Sequence, residues 1–133
     1  MNKVLMLAFL AVALLSVETN ANLLQFCGMV SHYTKRSCFD YINYGCWCGL
    51  GGKGKTVDEI DECCKAHDRC YGKNRKCNPK WNIYIRFWNR CWNKKGSCDY
   101  NVCMCDEEAA KCFAKHKYDK SHWGYRSKGQ CLK

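Results

Sequence analysis

The stretch Cys63-Cys64-Lys65-Ala66-His67-Asp68-Arg69-Cys70-Tyr71 sets two cysteines seven residues apart, with a histidine between them. Seven residues are about two helical turns, roughly 10.5 Å of rise, and they return to nearly the same face. Cys105 and Cys112 repeat that spacing farther along the chain. Two antiparallel helices are therefore expected to join as a ladder, Cys63 to Cys112 and Cys70 to Cys105. His67 lies on the stripe of the first pair, and Asp106 directly follows Cys105. Such a ladder holds an imidazole near a carboxylate with little freedom. That is the chemistry of a directed general base: the carboxylate fixes the tautomer through one ring nitrogen and leaves the other to take a proton. A lone histidine is more often a satisfied core residue. Asp68 beside it and a glycine-rich loop upstream favour a site.

Asp68 is the next residue on the helix, so its carboxylate points about 100° away from the His67 stripe. It is poorly placed to orient the same ring, and well suited to bind a hard cation. Upstream, Tyr44–Lys55 holds five glycines, Gly45, Gly49, Gly51, Gly52 and Gly54. That density marks a loop whose backbone takes positive φ or approaches a ligand closely. Its carbonyls across 47–52 can join a carboxylate around calcium. The repeated Asp/Asn spacing of an EF-hand is absent.

The same reading extends to the local elements. Thr56-Val57-Asp58-Glu59 reads as a capping box with Thr56 as N-cap, opening a helix from about Val57 to Tyr71. Asp58, Glu59, Asp61 and Glu62 suit the positive end of its dipole. A second long helix is expected from about Asp99 to Lys115, with Ala109, Ala110 and Phe113 facing inward. Leu23, Phe26, Cys27 and Val30 fall at helical spacing, which predicts a short N-terminal helix that either packs on the core or lines a lipid channel. Trp81, Ile83, Ile85 and Phe87 alternate as in a strand, and Asn93-Lys94-Lys95-Gly96 supplies the turn of a small hairpin. Tyr118–Lys133 reads as irregular, and His32, His116 and His122 as surface residues.

The chain has 133 residues, 14 cysteines and a net charge of +10, which suits one domain. Residues 1–21 have the layout of a secretory signal peptide: Lys3, then the apolar run Val4–Leu15, then small and polar residues to Ala21. The run is too short for a transmembrane anchor, which needs roughly 20 apolar residues. All 14 cysteines fall in the remaining 22–133 domain, and an exported chain keeps them oxidised. Spacing leaves the full pairing open, with more than ~100,000 combinations. Cys46-Trp47-Cys48 and Cys103-Met104-Cys105 do not match the Cys-x2–4-Cys spacing of zinc sites. The positive charge favours anionic surfaces such as anionic lipids or sulfated glycans. No nucleic-acid recognition motif is present.

Three stretches carry a family resemblance. Tyr44-Gly45-Cys46-Trp47-Cys48-Gly49-Leu50-Gly51-Gly52, the Cys63–Tyr71 stretch and Cys103-Met104-Cys105-Asp106-Glu107-Glu108-Ala109-Ala110 resemble the calcium loop, active-site helix and second helix of secreted calcium-dependent phospholipases A2. The similarity runs from Asn22 almost to the end. It implies a mainly α, disulfide-rich fold: two long antiparallel helices cross-linked by disulfides, an N-terminal helix, a Gly-rich calcium loop and a small β-hairpin. It also implies an extracellular enzyme that hydrolyses the sn-2 acyl ester of glycerophospholipids at membrane or micelle surfaces, releasing a fatty acid and a lysophospholipid.

The roles it implies fall on matching positions. His67 is the general base that activates a water, and Asp106 orients it, held by Tyr71 and Tyr84. Ca2+ takes the Asp68 carboxylate and the carbonyls of Trp47, Gly49 and Gly51. The Gly49 N–H helps stabilise the oxyanion, and Lys80 meets the lipid phosphate. Trp47 stands where the family usually has Tyr, a change the carbonyl tolerates. Cys27 and Cys38 depart from the family's common set, and the resemblance leaves them to pair with each other. Leu50 replaces a common interfacial aromatic. A receptor partner and a non-catalytic, basic membrane- or receptor-binding protein on the same scaffold are the alternatives; members of that second kind often lose the calcium carboxylate, which this chain keeps.

Overall fold

The computed structural model describes residues 2–4 and 22–131. The expected signal-peptide segment, residues 1–21, lies outside them apart from residues 2–4. Helix α1 covers residues 22–34, α2 Phe39–Ile42, α3 Glu59–Lys73 and α4 Cys98–Lys115. A two-stranded antiparallel sheet pairs β1 (Arg86–Phe87) with β2 (Arg90–Cys91). Single 3₁₀ turns fill the connections and the C-terminal segment.

α3 and α4 are the scaffold. Disulfides Cys63–Cys112 and Cys70–Cys105 run in opposite chain order, so the helices are antiparallel and held in the expected register. α3 starts two residues later than expected. Asp58, in extended backbone, is its N-cap and accepts from the Asp61 N–H at 2.9 Å. Thr56 instead hydrogen-bonds Glu62. A carboxylate at the positive end of the helix satisfies an orphan N–H and complements the dipole at once, which outweighs a hydroxyl cap. α4 is capped by Ser97, which accepts from the Tyr100 N–H at 3.2 Å. Ala109, Ala110 and Phe113 are buried as expected.

All 14 cysteines are paired. Besides the ladder, the bridges are Cys27–Cys38, Cys46–Cys131, Cys48–Cys64, Cys77–Cys98 and Cys91–Cys103. Cys63, Cys112 and His116 lie close together, but the two sulfurs are bonded to each other and offer no thiolate to a metal. Such cross-links add stability by restricting the unfolded chain. Among the described residues no helix is long and apolar enough to cross a membrane.

The hairpin differs from its expectation. Its turn is Trp88–Asn89, both at positive φ (51° and 59°), and not Asn93–Gly96, which leads into α4. Two left-handed residues match the twist of the flanking strands. Only two residues of the 81–88 segment are strand. Upstream, its backbone is held by α1 side chains: Asn22 Nδ2 donates to Asn82 O, and Gln25 Nε2 to Tyr84 O. The alternation is real but its apolar side faces out. Trp81, Ile83, Ile85 and Phe87 are 56–62% exposed, while Tyr84 on the other side is buried.

Candidate active site

His67 projects from the middle of α3 toward α4. Its Nε2 lies 2.7 Å from Oδ1 of Asp106, which is fully buried. Tyr71 donates to the same oxygen at 2.6 Å, and Tyr84 donates to Oδ2, also at 2.6 Å. The acid therefore has donors on both oxygens. Burial, then the adjacent Asp106, pushes both phenols well above their ordinary range, so they remain O–H donors at any working pH. With Nε2–H given to the carboxylate, Nδ1 is left with its lone pair.

The ring is also packed. Phe26 of α1 stacks on it at 4.5 Å between centroids and 12° between planes, and Tyr71 lies 4.3 Å away on a tilt. Of the α1 stripe, Val30 is core, Phe26 walls the imidazole, and Leu23 is exposed. Met29, which falls off that stripe, is also core.

Asp68 is half-buried one residue beyond His67. Among the described residues it makes no ion pair. Burial raises its pKa, offset in part by the positive fields of His67, Lys80 and Arg126. A half-buried carboxylate without a counter-ion is suited to a cation. The loop beside it offers hard oxygen donors. Gly49 and Gly51 have φ of 92° and 73°, which place successive peptides in orientations an L side chain resists. A Cβ on Gly49 would meet the Ile42 carbonyl at 2.2 Å. Hard oxygen ligands, one carboxylate and a glycine turn fit calcium. The residues that would hold it are Asp68, Trp47, Gly49 and Gly51.

The base of this loop is fixed by Asp61, a residue whose place in the sequence suggests only a helix-dipole acid. Its buried carboxylate accepts from the N–H groups of Cys46 at 2.9 Å, Trp47 at 2.8 Å and Val57 at 3.0 Å. Gly45 is glycine because of it: a Cβ there would sit 2.5 Å from the Asp61 carboxyl carbon, at a φ of 57°. Asp61→Asn turns an amide toward backbone N–H groups that need acceptors. We expect a loss of about 3 kcal/mol, because hydrogen bonds to charged groups are each worth roughly 1.5–3 kcal/mol. Denaturant unfolding of the oxidised protein measures it; an unshifted midpoint would remove Asp61 from this role.

His122 is a correction to the surface reading. It is partly buried, its Nδ1 is 2.8 Å from Asp58 Oδ2, and Tyr44 O–H donates to the same oxygen. The contact ties the C-terminal segment to the start of α3. Glu107 was also not anticipated: it is buried beside Asp106 in sequence, 3.5 Å from Arg86 and 3.7 Å from Lys111, and accepts from Tyr33. His32 and His116 are exposed.

A family model described as phospholipase A2 matches residues 23–123. The chain belongs to the phospholipase A2 family. It is 48% identical over 111 residues to "Basic phospholipase A2 caudoxin" of Bitis caudalis, an alignment that covers 80% of this chain and 92% of that protein. It is 43% identical over 120 residues to a "Phospholipase A2" of Calliactis polypus, covering 83% of this chain and 74% of that protein. Membership in this family accords with the mainly helical, disulfide-rich fold and its small sheet.

Proposed function

We propose that this family member is a secreted, calcium-dependent phospholipase A2, cleaving the sn-2 acyl ester of glycerophospholipids at membrane interfaces. The observation that carries the proposal is the His67–Asp106 contact with Tyr71 and Tyr84 fixed around the acid. His67 Nδ1 takes a proton from a water that attacks the ester carbonyl. Asp106 stabilises the imidazolium as it forms, and the two phenols keep that carboxylate in place. The same proton then goes to the departing alkoxide, leaving a fatty acid and a lysophospholipid. No serine or cysteine nucleophile is needed, in keeping with the absence of a G-x-S-x-G elbow. Calcium, when bound, supplies positive charge to the developing oxyanion and to the lipid phosphate. On this reading the Gly49 N–H would help stabilise that oxyanion, and Lys80 would meet the phosphate.

The +10 charge favours anionic over zwitterionic surfaces. Seven disulfides support an extracellular setting. The decisive assay uses vesicles of position-labelled phospholipid, zwitterionic or anionic, with calcium or a chelator. We expect release of the sn-2 chain alone, only with calcium, faster on anionic vesicles and slowed there by salt. Hydrolysis that persists in chelator overturns the calcium role; vesicle binding without hydrolysis points to the non-catalytic alternative.

A further inference from the structure

The calcium loop has a neighbour from the far end of the chain. Residues 122–131 run along the loop's entry. Gly45 N–H donates to His122 O at 2.9 Å, Gly124 N–H to Asn43 O at 2.7 Å, Tyr44 forms a bridge with Trp123, and Cys46 is bonded to Cys131. From this segment Arg126 reaches the loop itself. Its Nη2 donates to the Cys48 carbonyl at 3.4 Å. The same nitrogen is 3.5 Å from where a side chain on Gly49 would begin, and Nη1 is 4.0 Å from the equivalent point on Gly51. Nη1 is buried and, among the described residues, has no hydrogen-bond partner.

We propose that Arg126 is a positioning residue for ion binding: it braces the glycine turn so that alternate carbonyls are presented to the cation. The inference rests on the calcium reading of this loop. Cys48 sits between Trp47 and Gly49, two of the carbonyl donors. A carbonyl held by a guanidinium is not free to swing toward the ion, and its neighbours are oriented by the same peptide planes. Glycines at positive φ are entropically costly to order, so a fixed contact lowers the cost of closing the turn. Nη1 lies on the Gly51 side and can donate to a further loop carbonyl as the turn tightens.

Arg126 also acts through space. Its positive charge lies near Asp68, and alone that would weaken cation binding. The two effects have opposite signs, so calcium affinity decides between them. Calorimetric titration with calcium is made on the wild type, Arg126→Ala and Arg126→Lys, with unfolding of each followed in chelator. A brace worth one net hydrogen bond plus the ordering it supplies predicts about a five- to tenfold rise in calcium Kd for Arg126→Ala. Lysine, a single point donor in place of a fork, restores only part of it. The unfolding midpoint in chelator stays near the wild-type value. An unchanged or tighter Kd in Arg126→Ala overturns the brace, as does a fall in the chelator midpoint that Arg126→Lys repairs together with Kd. A wild type that binds no calcium overturns the underlying ion site instead.

Discussion

His67→Gln is expected to lower kcat on phospholipid by roughly 10²–10⁴-fold while leaving calcium affinity unchanged, the loss typical of a general base. Glutamine is close to the right length to donate an amide N–H to Asp106, so the buried acid is not left without its third donor. Phe26 can still pack over it. What disappears is the basic lone pair at Nδ1. Asp68 and the glycine turn are untouched, so ion binding isolates chemistry from loading. A His67→Gln protein that still hydrolyses at near the wild-type rate removes His67 from the reaction. If it instead loses calcium and hydrolysis together, the histidine was supporting the ion site and not the water.

The parts of the molecule that were legible in the sequence are those set by covalent or helical register. Cys63, Cys70, Cys105 and Cys112 allow one antiparallel match at equal separations, and that match carries His67 to Asp106. The glycines of the loop were legible because positive φ and close approach demand them. The parts that were not legible depend on residues meeting across the fold. Asp61 looks like any acid in a first helical turn; only when the loop returns to α3 do three N–H groups converge on it. His122 is an ordinary polar residue until the C-terminal segment sets it against Asp58. Arg126 is one of 22 basic residues, with no local pattern to single it out.

The hairpin shows the limit of periodicity. Alternation at Trp81, Ile83, Ile85 and Phe87 reports extended backbone with two unlike sides, and that much holds. It does not say which side is buried. Here Tyr84 takes the interior because its hydroxyl has a buried carboxylate to bind, while Trp81, Ile83, Ile85 and Phe87 stay exposed. The turn was missed because Trp88-Asn89 lacks glycine; asparagine tolerates the left-handed region, and tryptophan is carried there by the strand pairing.

Asp68→Lys is expected to abolish calcium binding and hydrolysis together. Desolvation by burial disfavours the charged carboxylate, and the nearby positive groups only partly compensate. A divalent cation reverses that balance; a lysine ammonium would put a fixed positive charge where the ion must go, and no loop carbonyl can offset the repulsion. The pH dependence follows from the sign of the shift. Because the folded pKa is raised, the proton returns to Asp68 at a higher pH than to an ordinary carboxylate, so calcium loading weakens early on acidification. In the ion-free protein the same shift favours folding fully below the unfolded value and loses that contribution as pH rises through the folded one. Calcium therefore stabilises most at neutral pH, by about 2.7 kcal/mol at a hundredfold excess over Kd. Thermal unfolding with and without calcium across that range tests it. Wild type should show a calcium-dependent rise in Tm that fades as pH falls, and Asp68→Lys none at any pH. A calcium-dependent rise that survives in Asp68→Lys would place the ion elsewhere in the molecule, and the loop's carbonyls would then need another explanation.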